Sequence, residues 1–353
     1  MNNSSEYLHV TCSTDDNYVQ HCMAMLCSLM VNNKEHRIHV HMLVGTLSKN
    51  SRQLIGNLCN HYNGVVSFYD INSKVLENVP MNNNIMFNGK QMYSIATYYR
   101  LLLPSLLPET IKQILYLDCD VIVLKDVAEL YEINMDNYGV AAVKDNIFYG
   151  SYHRFKMGLG MQHSSFCAGV MMINLDFWRK ENSQKQLLDY SQKAWKGAYM
   201  QDQDALNYVF RDHWLQLPYK NARVPLAIAP ADNTQKWFDI KEFVEEPSIF
   251  HYAAHVKPWL DVWFPDQHYY WHYVKLSGFP NPQKTHANRQ LRIRIYKSVI
   301  RYLINKFIHP FVPDFIELII KDIYYTSMFI VSIFRPSYFK DLMLKRWCQK
   351  YGM

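Results

Sequence analysis

From Gln113 to Leu124 the chain runs apolar except for two carboxylates near its centre, Asp118 and Asp120, with Cys119 between them. A short, fully apolar run of this kind reads as a strand buried on both faces, and such strands belong to sheets covered by helices on either side. Gln113 to Leu117 is therefore predicted as a strand that ends on Asp118, and Val121 to Leu124 as a second apolar piece. The period of two along a strand points Asp118 and Asp120 the same way. In open α/β sheets the carboxyl ends of the strands are where ligands bind. Two adjacent ionised carboxylates in an apolar frame repel each other, and a hard divalent cation is their natural neutraliser. An isolated D-x-D also occurs by chance as a helix cap plus a solvated loop acid. Here the burial on both sides favours the cation.

The rest of the chain supplies the matching pattern. Leu8 to Cys12 reads as a strand, His21 to Val31 as a helix, Ile38 to Val44 as a strand, Ser51 to Tyr62 as a helix and Val65 to Tyr69 as a strand. Strands alternating with helices imply a parallel α/β sheet. Thr97 to Leu107 and Tyr199 to Arg211 look helical, Gly169 to Leu175 and Ser248 to Tyr252 look like strands, and Gly278 to Gln283 is the best linker. With 353 residues, 49% of them hydrophobic, the chain can bury a sizeable core, which excludes disorder over most of its length. Seven Cys without C-x-x-C pairs suit free thiols in a reducing compartment, against a disulfide scaffold or a zinc ribbon. The start, Met1 to Glu6, carries neither the basic nor the apolar region of a signal peptide, so a cytoplasmic protein is expected.

Two further segments carry chemistry. Thr14-Asp15-Asp16-Asn17-Tyr18 falls in the first strand-to-helix turn, where doubly wound folds receive a nucleotide, yet it has no G-x-G-x-x-G and no Walker lysine. A dinucleotide or P-loop site is disfavoured, and ordinary helix capping by Asp15 or Asp16 competes with a binding role. His251 closes a predicted strand, and Lys257-Pro258-Trp259 follows six residues later. A neutral imidazole beside two carboxylates would favour Mn²⁺ over an ion that prefers oxygen alone, and the lysine could neutralise a departing diphosphate. A core histidine with an exposed lysine is the plainer alternative.

Taken in order, these motifs resemble the retaining glycosyltransferases of family 8, which include glycogenin and bacterial lipopolysaccharide galactosyl- and glucosyltransferases. The resemblance covers about residues 8–275. It rests on Thr14 to Tyr18, Thr97-Tyr98-Tyr99-Arg100-Leu101, Leu115 to Val121, Ala168-Gly169-Val170 with Ile173-Asn174-Leu175, Gln201-Asp202-Gln203-Asp204, and His251 with Lys257-Pro258-Trp259. It implies a GT-A fold, a mixed sheet flanked by helices over residues 1–280. It also implies transfer of galactose or glucose from UDP-galactose or UDP-glucose to a glycan, with retention at the anomeric carbon. By the same analogy Asp118, Asp120 and His251 hold Mn²⁺, with Mg²⁺ as the other candidate, and Cys119 lies within the motif on the donor. Asp16, Asn17 and Tyr18, with Thr14 and Asp15 beside them, hold uridine. Lys257 stabilises UDP as it leaves, Arg100 and Asp145 lie near the donor, Gln203 sits beneath the reacting carbon and Asp202 binds a sugar hydroxyl.

Since glutamine is a poor nucleophile, front-face displacement is favoured over a covalent glycosyl-enzyme. Two positions depart from the family pattern: Cys167 stands where Asn usually contacts the donor hexose, and Ala254 where Gly is usual. They motivate a competing reading as a sugar-nucleotide binding protein without turnover. A glycogenin-like protein glycosyltransferase and a metal-dependent hydrolase are the enzymatic alternatives.

Residues 281–353 form a separate problem. Of 37 basic and 31 acidic residues in the chain, 13 and 4 lie between Lys284 and Met353, leaving 24 against 27, or −3, for the remainder. The tail reads as a basic amphipathic helical extension, with Arg289, Arg292, Arg294, Lys297, Arg301 and Lys306 interleaved with large aliphatics. Its longest uncharged apolar stretch, Ile323 to Phe334, is 12 residues, short of the roughly 20 that span a bilayer. Peripheral attachment to the anionic inner face of the cell membrane is the expectation, and a lipid-linked or lipopolysaccharide acceptor fits it. Packing of these helices against the catalytic domain is the alternative. Nucleic acid is not expected, because the basic residues line no polar groove with stacking platforms.

Overall fold

In the computed structural model residues 7–79, 86–87, 90–91, 94–145, 157–159, 163–193, 201–223, 247–253 and 256–307 are described. Ala254, most of the stretch from Asn78 to Ser94 and the tail beyond Phe307 lie outside them. The strands are β1 (Leu8–Thr14), β2 (Ile38–Val44), β3 (Val65–Asp70), β4 (Met86–Phe87), β5 (Lys90–Gln91), β6 (Gln113–Leu117), β7 (Val121–Val123), β8 (Val140–Lys144), β9 (Phe166–Asn174), β10 (Trp214–Leu217) and β11 (Ile249–His251). The helices are α1 (Val19–Asn32), α2 (Lys49–His61), α3 (Leu103–Leu106), α4 (Leu175–Lys180), α5 (Ser183–Lys193), α6 (Asp202–Val209), α7 (Gln267–Leu276) and α8 (Arg289–Phe307).

Seven strands make one sheet in the order β10-β8-β9-β6-β1-β2-β3, and β11 pairs separately with β7. Side chains alternate across the sheet. Val10, Cys12, Val40, Met42, Leu115, Leu117, Val170 and Met172 join a core with α1, α7 and α8. Leu43, Ile114, Tyr116, Met171 and Ile173 join a second core with Leu101, Trp178, Leu206 and Phe210. The result is a three-layer α/β/α fold.

The sheet is the mixed one that the family resemblance implies, and the parallel pairing read from strand-helix alternation holds for part of it. Strand β9 runs antiparallel to both β6 and β8, while β1, β2, β3 and β6 pair in parallel and β8 pairs in parallel with β10. Thr97 to Leu107, expected as one helix, is a 3-10 segment over Ile95–Leu102 followed by α3. Its β-branched and aromatic residues lose side-chain freedom in an α-helix, and Pro104 restricts the backbone before it. Strand β9 stops at Asn174 rather than Leu175, because the Asn174 side chain accepts from the Phe177 amide and caps α4.

The expected linker, Gly278 to Gln283, is fastened at its far end. Gln20 on α1 exchanges two hydrogen bonds with the Gln283 backbone, its side chain donating to the carbonyl at 3.1 Å and accepting from the amide at 2.8 Å. Beyond them Ala287, Leu291, Ile295 and Val299 are buried in the same core as α1. Described residues on both sides of position 280 thus share one core.

Candidate active site

Strand β6 ends on Asp118, and the backbone between β6 and β7 carries Asp120. The Asp118 amide donates to the Gly169 carbonyl on β9 at 2.9 Å, and the Tyr252 amide donates to the Asp120 carbonyl at 2.9 Å. The β11–β7 pairing then sets His251 opposite Val121. Three separate segments therefore bring Asp118, Asp120 and His251 together, with ligand atoms from all three within 4.8 Å of one another.

Each carboxylate has one committed oxygen and one that faces the imidazole. Asp118 Oδ1 accepts from Arg100 at 2.9 Å and from the Tyr116 hydroxyl at 2.8 Å, leaving Oδ2 4.0 Å from His251 Nε2. Asp120 Oδ2 accepts from Lys257 Nζ, which also donates to the Tyr252 carbonyl at 2.8 Å. Asp120 Oδ1 is buried without a hydrogen bond, 3.3 Å from His251 Nε2. Two carboxylate oxygens and one imidazole nitrogen converging this way suit a divalent cation of intermediate softness. In the metal-free protein, burial works against a charge on His251, but Cys167 and Asp120 outweigh it and hold its pKa well above the ordinary value. Burial also opposes ionisation of Asp120, and Lys257 and His251 overcome it, keeping this carboxyl well below the usual range.

Gly169 makes this convergence possible. A Cβ there would lie 2.2 Å from His251 Cε1, 2.6 Å from Nε2 and 2.9 Å from Asp118 Oδ2. Cys167, on the same strand, has its Sγ 3.5 Å from His251 Nδ1, so it lines the outer side of the imidazole.

A second group lies behind Asp118. Arg100 is buried over the Tyr116 ring at 4.1 Å and sits between two acids, Asp118 and Asp202. Burial works against its charge, and the two carboxylates more than compensate. Its Nε donates to the Thr97 carbonyl at 3.1 Å, so Asp202 Oδ2, 3.0 Å from that nitrogen, gains proximity without an aligned hydrogen bond. Asp202 Oδ1 accepts from the Thr97 hydroxyl at 2.6 Å. One guanidinium shared by two acids leaves Asp202 short of compensation, and burial pushes its pKa up to about 6. Next to it, Gln203 is clamped at both ends: Oε1 accepts from the Ala168 amide at 2.9 Å, and Nε2 donates to Asp145 Oδ2 at 3.0 Å.

The first turn is more divided. Asp15 accepts from the Asn17 amide at 2.9 Å, a local turn. Asp16 accepts from the Ser48 and Ser51 hydroxyls at 2.9 and 2.6 Å and from the Ser48 amide, which fastens the turn to the start of α2. Thr14 is buried, its hydroxyl 3.3 Å from the Asp15 carbonyl. Tyr18 remains 39% exposed and meets Trp259 edge-on at 5.8 Å, while His21 stacks on Trp259 at 3.6 Å. Tyr18 and the Lys257-Pro258-Trp259 segment thus share one wall. Cys119 turns inward, donating to the Ser13 carbonyl at 3.1 Å, so only its backbone faces outward. Sequence reasoning assigned no role to Tyr116 or Thr97, although Tyr116 lies two residues before Asp118 on one strand and so on the same face.

A family profile described as Glycosyl transferase family 8 matches residues 9–262. The chain belongs to glycosyltransferase family 8. Among the relatives of this glycosyltransferase is General stress protein A of Bacillus subtilis strain 168, 27% identical over 281 residues, spanning 77% of this chain and 94% of that protein. Another is a lipopolysaccharide 1,2-glucosyltransferase of Escherichia coli, 25% identical over 303 residues, spanning 84% and 86%. The galactosyltransferase LgtC, solved with donor and acceptor sugar analogues, superposes with a TM-score of 0.65 at 23% identity over 81% of this chain and 99% of that one. The likeness places this chain in the GT-A fold.

Two outcomes follow from this geometry. Gly169→Ala should leave the far-ultraviolet circular dichroism unchanged and weaken any divalent-ion binding at Asp118, Asp120 and His251, read by isothermal titration calorimetry, by about 10–100-fold, as misaligned ligands do. A carboxyl whose pKa is raised on folding contributes its stability in full below its unfolded value, near 4, and loses it as pH rises through about 6. The unfolding free energy of the metal-free protein relative to Asp202→Asn should therefore fall between about pH 4 and pH 7.5, by up to about 3 kcal/mol.

Proposed function

We propose that this family 8 enzyme moves galactose or glucose from a UDP-sugar to a glycan acceptor with retention, using a divalent ion, Mn²⁺ before Mg²⁺. The observation that carries the reading is the pair of uncommitted oxygens, Asp118 Oδ2 and Asp120 Oδ1, facing His251 Nε2. These three atoms would hold the ion, and a bound ion supplies charge neutralisation on the diphosphate. Lys257, buried beside Asp120 and backed by Trp259, supplies a fixed positive charge to the same leaving group. Tyr18 and Trp259 offer aromatic surface for the nucleobase.

Breaking the sugar-phosphate bond sends its electron pair to the diphosphate and leaves oxocarbenium character on the hexose. In front-face displacement the acceptor oxygen bonds to the anomeric carbon on the face the diphosphate leaves, and the acceptor proton passes to a diphosphate oxygen. The clamp on Gln203 supports this over a covalent intermediate. Its amide oxygen is held by the Ala168 amide, so it orients rather than attacks. In this reading Asp202 serves a sugar hydroxyl, Arg100 acts beside the diphosphate through its hold on Asp118, and Cys167, beside His251, replaces a stronger polar partner for the hexose. The lipopolysaccharide 1,2-glucosyltransferase and the galactosyltransferase to which this chain is similar support a hexose donor and a lipid-borne glycan acceptor.

A panel of UDP-glucose, UDP-galactose, UDP-N-acetylglucosamine and GDP-mannose, assayed for nucleotide release with Mn²⁺ or EDTA, tests the reading. Release of UDP from a UDP-hexose should require the metal and rise with glycan acceptor, and Asp120→Asn should lower kcat/KM at least about a hundredfold. UDP binding without release from any donor and acceptor pair would favour the non-catalytic alternative.

We further propose that the extension places the enzyme on the inner face of the cell membrane. On α8, Ile293, Tyr296 and Ile300 are 45%, 49% and 55% exposed, an apolar row flanked by Arg289, Arg294 and Lys297 and separate from the buried row. Among the described residues no helix is long and apolar enough to cross a membrane. Ile293→Asp with Ile300→Asp should cut co-sedimentation with phosphatidylglycerol vesicles, which phosphatidylcholine vesicles should support only weakly, while UDP binding is retained. Undiminished sedimentation of the double variant would place the contact elsewhere.

A further inference from the structure

At the opposite end of the sheet from Asp118, a second cluster of metal-ligating side chains stands outside everything described above. His9 is the second residue of β1 and His39 the second of β2, and the parallel register pairs them directly. His41 follows two residues later on β2, so all three side chains lie on one face of the sheet. Nitrogen atoms of His9, His39 and His41 lie within 4.8 Å of one another. His9 and His39 are half-buried at the sheet surface and His41 is buried, so the group is open on one side and backed by protein on the other.

The contacts around the cluster are those of a ligand set. His9 Nδ1 and His41 Nε2 face each other at 3.0 Å, a nitrogen-to-nitrogen contact in which one ring donates to the other's lone pair. The remaining nitrogens are oriented from β3: His39 Nε2 meets the Ser67 hydroxyl at 2.8 Å, and His41 Nδ1 meets the Tyr69 hydroxyl at 3.0 Å. Hydrogen bonds to the far nitrogen fix ring orientation in metal-binding histidines. The rings of His39 and His41 stack at 4.1 Å.

We propose that His9, His39 and His41 form a second metal site, selective for Zn²⁺ and related nitrogen-seeking ions, that joins β1 to β2. Zn²⁺ is commonly held by three histidines plus water at Zn–N distances of about 2.0–2.1 Å, which require modest ring rotations from the present spacing. With no carboxylate in the cluster, the site offers nothing to the hard ions that suit Asp118 and Asp120. An ion bound to two strands of the native sheet, and to no comparable arrangement in the unfolded chain, stabilises the fold.

The test uses the full untagged chain, stripped with chelator and carrying Asp120→Asn so that the carboxylate site is weakened. Titration with Co²⁺ alone should produce the visible absorption of nitrogen-coordinated cobalt, saturating at one equivalent and displaced by Zn²⁺, and Zn²⁺ should raise Tm. Adding His39→Gln should abolish the band and the Tm shift. His9→Gln, at a more exposed position, should do the same and covers the case in which His39→Gln fails to fold. Ser67→Ala, which touches the ligand set only through His39, should weaken Co²⁺ binding by about tenfold. Absence of the band in the Asp120→Asn protein, or a band unchanged by His9→Gln and His39→Gln, would overturn the assignment.

Discussion

Asp118 and Asp120 follow directly on a strand that is buried from Ile114 to Leu117, and the surrounding structure is arranged to tolerate them. An uncompensated buried carboxylate costs several kcal/mol. Here Arg100 and Tyr116 take one oxygen of Asp118, Lys257 takes one of Asp120, and His251 faces what is left. Tyr116 precedes Asp118 on the same strand, whereas Arg100, His251 and Lys257 come from elsewhere in the chain, so folding itself brings them together. Lys257 reaches Asp120 only because β11 pairs with β7 and the Tyr252 backbone closes on Asp120. A divalent cation at the two open oxygens would add to this compensation.

That arrangement explains why some elements were legible in the sequence. Strands β2 and β6 match their expected bounds, because each carries a largely apolar run that ends where loop residues begin. Strand direction was not legible in the alternation itself, which is the same whether β9 enters parallel or antiparallel; the mixed sheet was implied by the family resemblance alone. The 3-10 segment before α3 was missed because its apolar spacing looks helical while its β-branched and aromatic residues do not favour an α-helix.

At the candidate site, residue types were legible and shared duties were not. The acids, the imidazole and the lysine carry their chemistry in their names, and their order along the chain matched the family. Nothing in the sequence says that Arg100 divides its charge between Asp118 and Asp202, since those acids lie 18 residues after it and 102 residues after it. Asp16 illustrates the same limit. Binding and capping were both open from sequence, and in the structure its carboxylate is engaged with Ser48 and Ser51, which makes it a positioner of the turn that carries Tyr18. The histidine cluster was readable in half: His39-x-His41 on a strand is a chelating pair by its period of two, whereas His9 joins only through the β1–β2 register.

Gln201 shows where the site stores strain. It is buried with φ +56° and ψ −122°, a backbone conformation that costs a non-glycine residue about 1–3 kcal/mol. It immediately precedes α6, whose first two residues are Asp202 and Gln203. The Tyr98 hydroxyl donates to the Gln201 side chain at 2.9 Å and ties this turn to the 3-10 segment that also supplies Thr97 and Arg100. A relaxed backbone at position 201 would redirect the first turn of α6. Asp202 would then lose Thr97 and Arg100 together, and Gln203 would lose its clamp between Ala168 and Asp145. The strained residue and the buried arginine thus belong to one unit: the same short segment that compensates Asp118 also holds the helix start from which the reacting end of the site is built.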